Sequence, residues 1–250
     1  MSAHVGHIGS ALSVVDILAV LFGRTLSLPA QDHPERDRFT LSKGHAALAL
    51  YAALVATGRL SEEILSSYCG DETLVGVHPD RELAWIDFST GSLGQGLSLA
   101  TGAALAARLD GSTRRSFALL SDAECNEGAV WEAAMFAAQH RLSNLVAIVD
   151  ANGQQALGYT RDVLDLEPLP ERWHAFGWHA VEVGGHDHDA LALAFADSLS
   201  SERPTVVIAR TTFGKGVSFM ESLIKWHYLP MSESEFELAL AEVDAAEGPR

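Results

Sequence analysis

Ser116-Phe117-Ala118-Leu119-Leu120-Ser121-Asp122, a helical pattern over residues 128–140, then Leu145-Val146-Ala147-Ile148-Val149-Asp150-Ala151-Asn152: this stretch decides the fold. Two short apolar runs, predicted as strands over 116–120 and 145–149, flank a segment with helical periodicity. The alternation continues with a helix near 171–176, a strand over 180–183, a helix over 190–199 and a strand over 205–209. Strands separated by helices at this spacing require right-handed crossovers. They build a parallel twisted sheet covered by helices on both faces, so the fold class is α/β. Upstream, helices are expected over 11–21, 46–57 and 97–109, joined by loops rich in glycine and histidine. Loops of that kind are where chemistry concentrates. No linker, repeat or low-complexity segment divides the chain, so residues 1–250 read as one domain. Residues 232–247 read as a terminal amphipathic helix with a solvated face.

Bulk composition excludes several functions. With 48% hydrophobic and 20% charged residues, the chain is too apolar to be disordered. A net charge of −16 would repel a phosphate backbone or an anionic membrane surface, which argues against a nucleic-acid or membrane partner. Cys69 and Cys125 are the two cysteines, too few for a disulfide framework and suited to a reducing compartment. The N-terminal region lacks a basic leader, and its longest apolar stretch is broken by Asp16 and Arg24. These features lead to the expectation of a cytoplasmic protein.

Asp122 and Asn152 follow two successive strands, thirty residues apart. Ligands of open parallel sheets bind at the carboxyl ends of the strands. A carboxylate, an amide oxygen and a loop carbonyl such as that of Gln154 are hard donors. They suit Mg²⁺ or Ca²⁺ and leave coordination positions for diphosphate oxygens. A helix starting near Glu127 would turn its free N–H groups and positive dipole end toward the same anion. The plainer alternative is that Asp122 and Asn152 are turn or cap residues. His186-Asp187-His188-Asp189 could suggest a second metal site, but between a strand and a helix these types read as caps and turn residues.

The run Ser121-Asp122-Ala123-Glu124-Cys125-Asn126-Glu127-Gly128, with Trp131-Glu132-Ala133 and Asp150-Ala151-Asn152-Gly153, resembles the thiamine-diphosphate signature of transketolases. Four further segments stand in the family's order: Gly6-His7-Ile8-Gly9-Ser10, residues 36–45 ending in Ser42-Lys43-Gly44-His45, His78-Pro79, and Gly91-Ser92-Leu93-Gly94-Gln95-Gly96. Phe176-Gly177-Trp178, Gly185-His186-Asp187, Gly214-Lys215-Gly216 and Lys225-Trp226-His227 continue the likeness. The resemblance implies a diphosphate-binding fold that carries a two-carbon unit from a ketose to an aldose. It implies that Asp122, Asn152 and the Gln154 carbonyl hold Mg²⁺ or Ca²⁺. His7, His78 and His227 would face the donor sugar, and His45 and His227 the diphosphate. Gly91 and Leu93, with Ser10 nearby, would meet the aminopyrimidine, and Glu127 would lie between active sites. Imidazole suits proton uptake and return near neutrality.

The likeness departs from the signature at both glycines of G-D-G, replaced here by Ser121 and Ala123. Ala123 keeps the N–H that the diphosphate would accept. Were φ positive there, its Cβ would cost on the order of 1 kcal/mol and weaken cofactor affinity. The family's pyrimidine-binding domain, which supplies the activating glutamate, is not in these 250 residues. The resemblance therefore implies a partner, the C-terminal subunit of a split transketolase, in an α2β2 assembly acting on a sugar or sugar phosphate. Another thiamine-diphosphate two-carbon or acyl transferase, and a non-catalytic partner-binding subunit, are the competing readings. The Gly6-His7 loop lies almost at Met1, where the family has a preceding helix; this implies a trimmed start.

Overall fold

The computed structural model describes residues 5–247, so the start at Met1 lies outside the described residues. Among the described residues seven strands form: β1 (Arg38–Leu41), β2 (Ser116–Ser121), β3 (Leu145–Ala151), β4 (Gln154–Gln155), β5 (Gly158–Tyr159), β6 (His179–Gly184) and β7 (Thr205–Arg210). Five of them make one parallel sheet in the order β1-β2-β3-β7-β6, and β4 pairs with β5 as a small antiparallel hairpin. The register sets Ser121 of β2 beside Asp150 of β3.

Every residue of β2 and β3 is buried, which is why both read as unbroken apolar runs. Alternate side chains leave opposite faces of the sheet. Phe117, Leu119, Val146, Ile148, Val207 and Ala209 enter one core, together with helices Val15–Val20, Ala47–Ala56 and His188–Asp197. Ala118, Leu120, Leu145, Ala147, Val149, Val206 and Ile208 enter the other, under helices Gly96–Leu109, Gly128–Gln139 and Leu169–Ala175. Right-handed crossovers account for the faces taken by the four helices that lead into strands, Gly96–Leu109, Gly128–Gln139, Leu169–Ala175 and His188–Asp197. The chain steps from β1 to β2 to β3 in one direction and reverses only from β6 to β7, which throws His188–Asp197 onto the opposite face. Trp173 and Trp178 meet edge to face at 4.9 Å and close the second core, with Trp178 Nε1 donating to the Ala134 carbonyl at 2.9 Å.

The α/β class and the expected strands and helices stand, with boundary shifts of a few residues. The expected helix over 11–21 is instead two short pieces, Ile8–Leu12 and Val15–Val20. Ser13 lies at the break, where its hydroxyl bonds the Ser10 carbonyl and Asp150 instead of facing solvent. Edge strand β1 lies inside the segment read only as loop. Helix Glu233–Glu247 forms where expected, but its outer surface carries exposed Leu238, Leu240 and Val243 as well as acids. Among the described residues no helix is long and apolar enough to cross a membrane.

The helix after β1 packs in the first core and the helix after β2 in the second. Their connections diverge above the carboxyl ends of two neighbouring strands, and that opening is the place for a ligand.

Candidate active site

At the carboxyl end of β2, Asp122 presents one oxygen to the N–H of Ala123 and the other to the N–H of Gly153, both at 2.8 Å. Burial, and then the negative charge of Asp150, push its carboxyl up to about 7. A carboxylate so placed favours a nearby cation. Asn152, just past β3, turns its amide nitrogen to Asp150 at 2.9 Å, which leaves its oxygen to accept the Gln154 N–H at 2.9 Å. Gln154 is buried and donates its side-chain amide to the Ser222 carbonyl at 2.9 Å. The structure thus brings Asp122, Asn152 and Gln154 together, tied through Gly153.

A buried ion pair supports this end of the sheet. Lys43, two residues beyond β1, donates to Asp150, and both side chains are wholly excluded from solvent. Asp150 also accepts from Ser13 Oγ at 2.7 Å and from Thr211 Oγ1, so one carboxylate gathers the ends of β1, β3 and β7 and the first helix. Sequence reasoning assigns no role to either residue of the pair. Asp150 continues an apolar run into a buried strand, and a charge at such a position needs a partner, which is the signal that could have found it.

Above these strand ends lie the imidazoles. The rings of His7 and His45, and of His7 and His227, are 5.1 Å apart, and His45 and His227 are 5.9 Å apart. His7 sits at φ 67°, a strained conformation for a residue with a Cβ, and its N–H donates to the His227 carbonyl at 3.2 Å. His227 stacks on Phe213. Burial, then His78 and Lys43, lower the proton affinity of His7. Burial, then Lys43 and the other imidazoles, hold His45 far below its ordinary value. Burial, then His7 and Lys43, bring His227 down to about 4. The three rings are therefore neutral near pH 7, each with one donor and one acceptor nitrogen. The Nδ1 atoms of His7 and His227 are buried without a hydrogen-bond partner.

The 91–96 loop closes the remaining side. A Cβ on Gly91 would lie 3.5 Å from the ring of His78, so that histidine stands over the loop backbone. Gly94 has φ +85°, and a Cβ there would meet that of Glu127 at 2.7 Å. Glu127 is itself exposed, beside the loop. Leu93 is partly buried, and Ser10 is buried, with its carbonyl 3.4 Å from Lys43 Nζ.

The backbone decides the open question at Ala123. Ala123 is not among the residues with positive φ; it opens a short 3-10 turn, Ala123–Asn126, where a Cβ is tolerated and the suspected strain does not arise. Helix Gly128–Gln139 begins where expected, with Glu127 as its N-cap, and the turn before it supplies the first N–H groups past Asp122. In the 186–189 segment Asp187 caps the following helix, while His186 and His188 each bond Asp16 at 2.7 Å. Cys125 is buried, and burial with the Glu124 and Asp122 charges pushes its thiol well up, which leaves it unreactive.

Among the described residues no group of three or more His, Cys, Asp or Glu is arranged to hold a metal unaided. One carboxylate, one amide and one carbonyl fit an ion that shares an anion's oxygens. The unpartnered imidazole nitrogens fit a polar ligand above it.

The family model for "Transketolase, thiamine diphosphate binding domain" matches residues 1–243. The chain is 40% identical over 244 residues to the 6-deoxy-6-sulfo-D-fructose transketolase subunit SqwG of Clostridium sp. (strain MSTE9), covering 96% of this chain and 89% of that protein. It is 38% identical over 244 residues to an apulose-4-phosphate transketolase subunit of Phocaeicola vulgatus, covering 96% and 87%. The crystal structure of transketolase from Campylobacter jejuni superposes with a TM-score of 0.89 at 29% identity, and the match covers 96% of this chain and 39% of that protein.

Proposed function

The chain belongs to the transketolase family as a thiamine-diphosphate-binding N-terminal subunit of the split type, and on that premise we propose the following division of labour. Residues 1–250 form the diphosphate-binding domain. A C-terminal transketolase subunit brings the pyrimidine-binding domain and its activating glutamate, and the two act as an α2β2 assembly in the cytoplasm. The naming of the relatives as subunits supports a partner.

The observation that carries this reading is the placement of Asp122 and Asn152 at adjacent strand ends beneath imidazoles with unpartnered nitrogens. Asp122, the Asn152 oxygen and the Gln154 carbonyl would hold Mg²⁺ (or Ca²⁺). The N–H of Ala123, with His45 and His227, would face the diphosphate. Gly91 and Leu93 would meet the aminopyrimidine through backbone atoms, with Ser10 nearby. When bound, thiamine diphosphate supplies the nucleophilic carbon needed to cleave the bond beside a ketose carbonyl. The chain's own contribution is to position that group and to handle protons. His7, His78 and His227 face the donor sugar or sugar phosphate. Neutral rings at His7 and His227 accept a hydroxyl proton and return it, which imidazolium could not do as a base. Glu127, exposed beside Gly94, would pass protons between active sites.

The test is ketol transfer from ketose donors, assayed separately with this chain, with the C-terminal transketolase partner, and with the two mixed. Activity is expected only in the mixture. Robust transfer by the chain without its partner, or none in any mixture that forms a complex, would overturn the proposal.

A further inference from the structure

Ser121 and Ala123 replace the glycines that flank the aspartate in the family signature, and the structure shows what stands in for them. Ser121 Oγ accepts the Glu124 N–H at 3.1 Å, and a Glu124 carboxylate oxygen accepts the Ser121 N–H at 3.3 Å. This reciprocal pair is a capping box, here closing the short turn that carries Asp122 and Ala123. The other Glu124 oxygen accepts Ser42 Oγ at 2.5 Å and the Gly94 N–H at 2.7 Å. Glu124 is wholly buried. One carboxylate therefore ties the end of β1, the end of β2 and the 91–96 loop. Gly94, at φ +85°, lacks the conformational restriction that would hold the loop by itself. Its N–H is anchored from outside the loop, by a charge-assisted bond.

We propose that Glu124 is a positioning residue: through Gly94 N–H it sets the height of the 91–96 loop over the diphosphate end of the site, and Ser121 fixes Glu124 through the capping box. The cofactor consequence rests on the functional reading above, in which Gly91 and Leu93 of that loop meet the aminopyrimidine. Glu124→Gln keeps the shape but removes the charge: its amide oxygen serves Ser42 and Gly94 only as a neutral acceptor, and turned toward Ser121 it leaves both of them facing an NH₂ group. Ser42→Ala removes one donor and leaves the Gly94 bond in place.

Hydrogen exchange by mass spectrometry on the full chain reads the loop without cofactor, over peptides covering 90–97 and, as internal reference, 145–151. Glu124→Gln is expected to speed exchange over 90–97 by about ten-fold, the change that accompanies turning a hydrogen bond to a charged group into one to a neutral group, or losing it. Protection over 145–151 should stay at the wild-type level, and Ser42→Ala should show a smaller change in the same direction. In the complex with a C-terminal subunit, Glu124→Gln should weaken binding of thiamine diphosphate with Mg²⁺ by a similar factor. Unchanged loop exchange, equal loosening of 145–151, or a loosened loop with wild-type affinity would each overturn the proposal. If Glu124→Gln fails to fold, Ser42→Ala decides by the same criteria. A wild-type complex that does not bind the cofactor would instead sink the functional reading, and this is seen before any variant is compared.

Discussion

Replacing Lys43 by Met removes the cation from a pair that is wholly buried while keeping most of the side-chain volume. Asp150 would retain three donors, Ser13 Oγ, Asn152 Nδ2 and Thr211 Oγ1, all neutral. Breaking a buried ion pair from one side costs about 3–5 kcal/mol, because the remaining charge is stranded in low dielectric. Three surviving hydrogen bonds place this site near the lower end of that range, at about 3 kcal/mol. At about 2–4 °C per kcal/mol for a chain of this size, the melting temperature should fall by about 6–12 °C. Lys43→Met combined with Asp150→Asn removes both charges and should recover much of that loss, so the double-mutant cycle should show coupling of about 1–3 kcal/mol. Urea unfolding and calorimetry of the cofactor-free chain, its two single variants and the double variant measure this. A Lys43→Met cost below about 1 kcal/mol, or additive single effects, would refute the view that this pair supports the strand ends.

Ala123→Gly should lower stability by roughly 0.4–1 kcal/mol and leave cofactor affinity unchanged, because φ is already negative there and glycine only frees the unfolded chain; tighter binding would contradict the 3-10 turn. Gly94→Ala places a Cβ at φ +85° and 2.7 Å from that of Glu127, so a loss of about 1–2 kcal/mol or more is expected in urea unfolding. His227 titrates near 4 in the folded chain and near 6.5 unfolded. Between these values the unfolded chain binds the extra proton, so this contribution to stability is present above about 6.5 and lost as pH falls toward 4. His227→Gln should flatten that loss in urea midpoints compared at about pH 7 and about pH 5, and an undiminished acid sensitivity would count against the buried neutral ring.

What can be read from residues alone follows burial. β2 and β3 are covered on both faces, so their runs are unmistakable, and Asp122 and Asn152 can be placed at their ends from spacing. β1 is hidden because Arg38-Phe39-Thr40-Leu41 is a four-residue edge strand, too short for its alternation to stand out from the loop around it. Residues 11–21 are apolar enough to look like one helix, and the break depends on Ser13 reaching Asp150, a contact across 137 positions. The same distance problem conceals the Lys43–Asp150 pair, 107 positions apart, and the joining of Ser42 and Gly94 on Glu124. Resemblance and order gather the histidines; the depression of their proton affinity, by burial first and then by Lys43 and one another, emerges only in the folded chain. Replacement of the signature glycines suggests a strained turn. Backbone geometry shows a turn rebuilt around a serine and a glutamate.

The central claim, that this chain holds the cofactor's diphosphate through a metal on Asp122, is tested most directly by calorimetric titration of thiamine diphosphate into the complex with a C-terminal subunit. The titration is run with and without Mg²⁺, for wild type and for Asp122→Asn. The wild type should bind in a metal-dependent manner, and Asp122→Asn should weaken binding by about ten-fold or more, since it replaces the one anionic protein ligand by a neutral amide. Equal affinity of the two proteins in Mg²⁺, or wild-type binding that ignores the metal, would contradict the account.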